Sequence, residues 1–156
     1  MDASTLKGRA VVSLTEGTKL GVIAQPLFDL HLLHLRAVET TGENGDFFIP
    51  FAQLQSIGPD AITVASHQVV HKNLREMLIE LDQILHLKVV DQAGRFVGTV
   101  AHIDIDPASG RVLQVAAYKG GVLGIGGTHA PIDPATILSV GPELMTLAAQ
   151  EAVAAV

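Results

Sequence analysis

Two histidine pairs are the first groups in this sequence that could do chemistry. His31 and His34 stand three residues apart in DLHLLH, and His67 and His71 four apart in HQVVH. On a helix either spacing would bring two imidazoles to one side, where they could chelate a divalent cation. No cysteine is present, and no Asp or Glu completes a strong ligand pattern around them. The histidines therefore read as polar positions on strands or loops. Asp104 and Asp106 share a face of the alternating stretch AHIDID, a geometry open to acid–base work. Acidic residues beside a turn are more often plain solvated positions. GGVLGIGG (Gly120–Gly127) has the glycines of a phosphate loop but not its Gly-Lys-Ser/Thr ending, so it reads as a hairpin loop. Ser56 and Ser139 adjoin glycine outside any G-x-S-x-G elbow. The expectation is no catalytic residue, no metal site and no cofactor.

Composition narrows the class. The chain has 156 residues, 48% hydrophobic and 17% charged, with aromatics at 4% and no Trp. Such a chain folds, and builds its core from Val, Ile, Leu and Ala. The net charge of -6 argues against direct nucleic-acid binding. No apolar run is long enough to span a membrane, and MDASTLKGR carries no apolar stretch of a signal peptide. With no cysteine, a cytoplasmic setting is expected.

What must position these residues is a duplicated unit. The phrase SIGP (Ser56–Pro59) returns as SVGP (Ser139–Pro142), 83 residues later. Upstream, Gly21 set against Gly98 gives an offset of 77, which also pairs Val12 with Val89, Gly17 with Gly94 and Asp29 with Asp106. Copy two therefore carries six more residues between the anchors, and GGVLGIGG is the natural place for them. Within each copy, β-branched runs flank Gly-containing turns, TEGTK and QAGR. In AHIDID, Ala101, Ile103 and Ile105 alternate with the polar residues, as in a half-buried strand. PASGR is a hairpin connection, and VLQVAAY the strand after it. Gly58 and Gly141, each before proline, are expected to need a dihedral that a Cβ would strain.

Between the copies, Leu74, Met77, Leu78 and Leu81 fall at helical spacing, with Asn73 as N-cap and Glu76 three residues on. This predicts an amphipathic helix of two or three turns from Asn73 to about Asp82. The last stretch, LAAQEAVAAV, is Ala-rich and reads as a short helix or frayed tail. The organisation expected is repeat 1 over 5–65, a linker with the helix over 66–83, repeat 2 over 84–147, and a tail over 148–156.

The Gly-turn strand pairs EGTKLG and AGRFVG, the D-P-x-x-G-x-V run from Asp106 to Val112, the Pro-Ile pair and S-[IV]-G-P together resemble the PRC-barrel domain. That domain occurs in the H subunit of the purple bacterial photosynthetic reaction centre, in ribosome maturation factors and in small stand-alone proteins. The resemblance implies a mainly β fold: two tandem small antiparallel β-barrels joined by a short amphipathic helix. It also implies a non-enzymatic module that binds protein partners and docks on a larger complex, peripheral association with a membrane complex included. Homo-oligomers stay open, as does a small ligand- or metal-binding barrel using His and Asp. Copy one departs from the pattern at DLHLLH, where copy two has DPASGR. Those leucines are either covered within the chain, by the other barrel or the linker helix, or form a partner contact at Leu30, Leu32 and Leu33, with Val122, Leu123 and Ile125 of the inserted loop as a second one.

Overall fold

A computed structural model describes residues 1–74, 77–120 and 126–149. The strands are β1 (Ala10–Ser13), β2 (Thr18–Asp29), β3 (Leu35–Gly42), β4 (Gly45–Pro50), β5 (Leu54–Ile57), β6 (Ala61–Val64) and β7 (Leu78–Glu80). After a one-turn helix, α1 (Leu81–Ile84), come β8 (Lys88–Asp91), β9 (Phe96–Ile105), β10 (Val112–Lys119), β11 (Thr128–Ile132), β12 (Ile137–Val140) and β13 (Leu144–Leu147).

The duplication is visible strand by strand. One sheet runs β4-β3-β2-β1-β6-β5, the other β11-β10-β9-β8-β13-β12. Each has antiparallel neighbours except for one parallel pair, β1 with β6 and β8 with β13. Val11 lies opposite Gly21 and Val89 opposite Gly98, both valines fully buried. The structural counterpart of Val89 is thus Val11, and Val12 corresponds to Val90. The constant offset expected for Val12 slips by one because copy one has one more residue in its β1–β2 turn. The six extra residues of copy two lie where expected. Gly42 pairs with Gly45 across a two-residue turn, and Lys119 pairs with Thr128 across Gly120–Gly127.

The two sheets share a core. One buried cluster takes Val11, Ile23, Phe28 and Leu35 from the first repeat, and Val89, Val100, Ile103 and Val115 from the second. A smaller cluster of Leu27, Ala37 and Phe48 is packed by Leu74 and Leu78. Each repeat is also completed by a short arm that precedes the other. β7, the lead-in to repeat 2, pairs with β2 at Leu27, Phe28 and Asp29. Asp2, the lead-in to repeat 1, bridges Asp104 on β9, and Ile105 N–H donates to the Met1 carbonyl at 2.8 Å. A helical turn follows each arm, Ala3–Leu6 and α1, with Leu6, Leu81 and Ile84 fully buried.

The helix expected from Asn73 to Asp82 is not formed. Leu78–Glu80 is strand, and the helix is the single turn Leu81–Ile84; residues 75 and 76 lie outside the described residues. Helical spacing misled because the leucines serve different places. Leu74 and Leu78 pack on the smaller cluster, Leu81 enters the main core, and Met77 is exposed. The Ala-rich tail from residue 150 also lies outside the described residues.

The repeated S-[IV]-G-P phrase turns a hairpin in each copy. Gly58 N–H donates to Ala61 O and Gly141 N–H to Leu144 O, both at 2.9 Å. Ser56 and Ser139 carry cross-strand hydroxyl pairs to Thr63 and Thr146, at 2.8 and 2.5 Å. Neither glycine has positive φ, which corrects the expectation of a special dihedral. A glycine that is constrained on both counts is Gly98, with φ +148° and Tyr118 O only 2.8 Å from where a Cβ would sit. Gly98→Ala is expected to destabilise by about 1–3 kcal/mol. Gly141→Ala, whose Cβ would meet Leu144 O at 3.4 Å, should change stability by less than about 0.5 kcal/mol. Denaturant melts of the two variants check this ranking.

Candidate functional site

The point where the repeats meet is built from two equivalent turns. In copy one, Asp29 accepts backbone N–H bonds from His31, Leu33 and His34 at 2.9–3.1 Å. In copy two, Asp106 accepts from Ala108 N–H and the Ser109 hydroxyl, both at 3.0 Å. The acid–base reading of Asp106 gives way to this: its carboxylate holds a turn. Asp104 lies 3.7 Å from His102 Nε2. The two turns then pair with each other. His34 bridges Arg111, Leu35 N–H donates to Gly110 O at 2.7 Å, and Val112 N–H donates to Leu33 O at 2.8 Å. The two bonds are exchanged by a pseudo-two-fold axis that runs through the seam.

Leu32 must leave the set of surface candidates. It is fully buried in the main core, with φ +55°. The burial offsets a left-handed backbone that a leucine seldom adopts. Leu30 and Leu33 on either side are exposed, at 42 and 40%. Val122, Leu123 and Ile125 lie outside the described residues. Sequence reading also missed the exposure of Leu113 and Leu138. Leu113 and Leu33 line one depression of about 130 Å³ together with Arg111 and Pro134. On the other side of the seam, Phe51, Leu54 and Ile57 line a groove of about 480 Å³ with Pro107 and Ala108. There the Phe51 ring fills the space over Gly110, 3.0 Å from where a Cβ would be.

His34, His67 and His71 have separate partners. His34 Nδ1 is 3.8 Å from Asp29, His67 Nδ1 is 3.2 Å from Glu16, and His71 pairs through its backbone with Phe48. Among the described residues no three His, Asp or Glu side chains form a group that could hold a metal ion. Glu16 instead closes a structural clasp, accepting from the Ser13 hydroxyl and from His67 N–H. In copy two the buried Asp91 does the equivalent work, accepting from Ala93 N–H and from both backbone and guanidinium of Arg95.

These bonds lower several carboxyl pKa values. Glu16 is held down first by the Ser13 hydroxyl, Asp91 by the Arg95 backbone N–H, and Asp106 by the Ala108 N–H. Asp82 is held down first by Lys7, whose ammonium lies 2.8 Å away. A depressed folded pKa gives stability that is present above the unfolded value and lost as pH falls through the folded one. The stability these groups confer should thus be intact above the ordinary carboxylate values of 3.8 and 4.5 and fall away below them. Melting temperatures measured from pH 7 down to pH 2 check this, and Asp91→Asn should flatten the acid limb.

Residues 77–149 match the family profile of the PRC-barrel domain. The second repeat is a PRC-barrel domain. The first repeat has the same strand order, so the chain is a tandem of two PRC-barrel-like units. No curated protein matches the chain. Among solved structures, it is similar to a Pseudomonas aeruginosa protein assigned to 16S ribosomal RNA processing, RimM. The likeness has 11% identity, covers 83% of this chain and 97% of that one, and has a TM-score of 0.32. No helix among the described residues is long and apolar enough to cross a membrane.

Proposed function

We propose that this tandem PRC-barrel chain is a non-enzymatic protein-docking module of the cytoplasm, with repeats over about 5–65 and 84–147 as its two units. The observation that carries this reading is the seam. Leu30 and Leu33 stand exposed at its surface, on a turn whose backbone is already held by Asp29, so the leucines are not needed to form the turn. Apolar side chains gathered at a surface mark a protein contact. The hydrogen-bonding capacity of Asp29, Asp91, Asp106 and Glu16 is spent on holding turns, which leaves the seam shaped for contact and not for chemistry. The test is a pull-down from the native cell with the intact protein and with Leu30→Ser/Leu33→Ser. Loss of the specific partners at an unchanged melting temperature is expected. Retention of every partner by the double variant would sink the assignment of this face.

A further inference from the structure

The two strand paths end on four strands, β4 and β5 in one sheet and β11 and β12 in the other. An edge strand offers unpaired backbone groups to any extended chain, so folded proteins cover or block such edges. β4 is covered: Phe48 exchanges two backbone bonds with His71, each at 2.7 Å. β11 is blocked. Ile49 lies opposite Val38 and Ile132 opposite Val115, which makes Pro131 the equivalent of Phe48, and a proline has no N–H to give. β5 has neither device among the described residues, and it pairs with β6 alone. Gly58 N–H donates to Ala61 O, so that pair is hydrogen-bonded. Bonded and non-bonded pairs alternate along an antiparallel ladder. Ile57, next in line and opposite Ile62, is therefore not bonded to β6, and its N–H and C=O point out from the sheet edge. A register shift at Gln55 leaves Ser56 and Ile57 as the regular part of this edge.

We infer that β5 receives an extended segment of a partner protein as an added strand. The inference rests on the docking reading and adds a second face with a stated mode of recognition. The groove of about 480 Å³ lies along this edge, lined by every residue of β5 and by Pro107 and Ala108 of the other repeat. Phe51, Leu54 and Ile57 are half-buried, packed on the main core and still open to the groove. All the lining residues are uncharged, so the groove offers no counter-ion to a phosphate or a carboxylate. What it offers is one backbone donor, one backbone acceptor and apolar surface beside them. An extended polypeptide matches all three. The residue opposite Ile57 exchanges both backbone bonds, and every second side chain turns toward the apolar lining. A helix spends its backbone groups internally and would leave those of Ile57 unmet.

The test is panning of a random eight-residue peptide library, displayed on phage, against the full chain. Enriched peptides are expected to carry apolar residues at every second position. Their synthetic forms should bind the full chain one to one by calorimetry. Ala108→Trp, which fills the groove from an exposed turn position, should weaken that binding at least tenfold, with a circular dichroism melt to confirm that the variant is folded. N-methylation of the peptide backbone, one residue at a time, should weaken binding at least tenfold at the residue that meets Ile57 and leave it unchanged at the two beside it. No enriched peptide, peptides that bind Ala108→Trp as tightly, or peptides indifferent to N-methylation at every position overturn the inference. Sedimentation equilibrium that shows a dimer of the free chain, dissolved by Ala108→Trp, would make a second copy the occupant and sink it too. Failure of these peptides, beside cellular partners that are still lost on Leu30→Ser/Leu33→Ser, would sink the added strand alone and leave the docking reading standing.

Discussion

Leu32→Ser will cost about 2–5 kcal/mol or more of stability, whereas its neighbour Leu33→Ser will move the melting temperature little. Leu32 is fully buried in the core common to both repeats. Truncating a buried leucine loses its transfer free energy and leaves a cavity, and a serine hydroxyl placed there adds an unmet hydrogen bond. A typical domain holds only about 5–15 kcal/mol in total, so the variant will be partly unfolded at room temperature. Leu33 meets none of these conditions at its exposed position. Urea melts of the two single variants decide the matter. Equal midpoints would mean that Leu32 is not in the core.

The second large effect concerns the division of the chain. Fragments 1–66 and 82–156 are expected to lack cooperative folding when expressed apart. A unit of this size buries only about 60% of its unfolded surface and is marginal alone. Each cut also removes an arm: 1–66 loses β7 from the edge of β2, and 82–156 loses Met1–Asp2 from β9. The first fragment also loses Leu81 and Ile84, and the second Ala3 and Leu6, all fully buried. Thermal melts read by circular dichroism would show no transition for either fragment. Two fragments as stable as the intact chain would show that the shared core contributes nothing.

The duplication was legible because glycine and proline mark turns for steric reasons that hold wherever the turn recurs. The offset from Gly21 to Gly98 therefore found the right strands, and the change of offset found the inserted loop between Lys119 and Thr128. Alternation in AHIDID found β9 with Ile103 and Ile105 buried. The arms were not legible. Asp2 and Leu78–Glu80 are too short to show a period, and their partners lie in the other repeat. The spacing of Leu74, Met77, Leu78 and Leu81 imitated a helix because apolar residues were needed at intervals along an irregular path, not along one stripe. At the seam, the leucine-rich turn was visible, but its division into a buried Leu32 and exposed Leu30 and Leu33 depends on a left-handed backbone that periodicity does not encode. Leu113 and Leu138 were hidden in strands, where a single extra leucine reads as core.

The exchanged arms also give the chain an order of assembly in time. β2 receives its arm from Leu78–Glu80, which leaves the synthesising machinery directly after the first sheet is complete. The reciprocal arm is made first and seated last, because the Met1 amine donates to Ile105 O, 104 residues downstream. Closing so long a loop costs entropy before any contact repays it. Vectorial synthesis therefore closes the first repeat from behind, whereas the second is closed by a segment made before the whole of the first repeat.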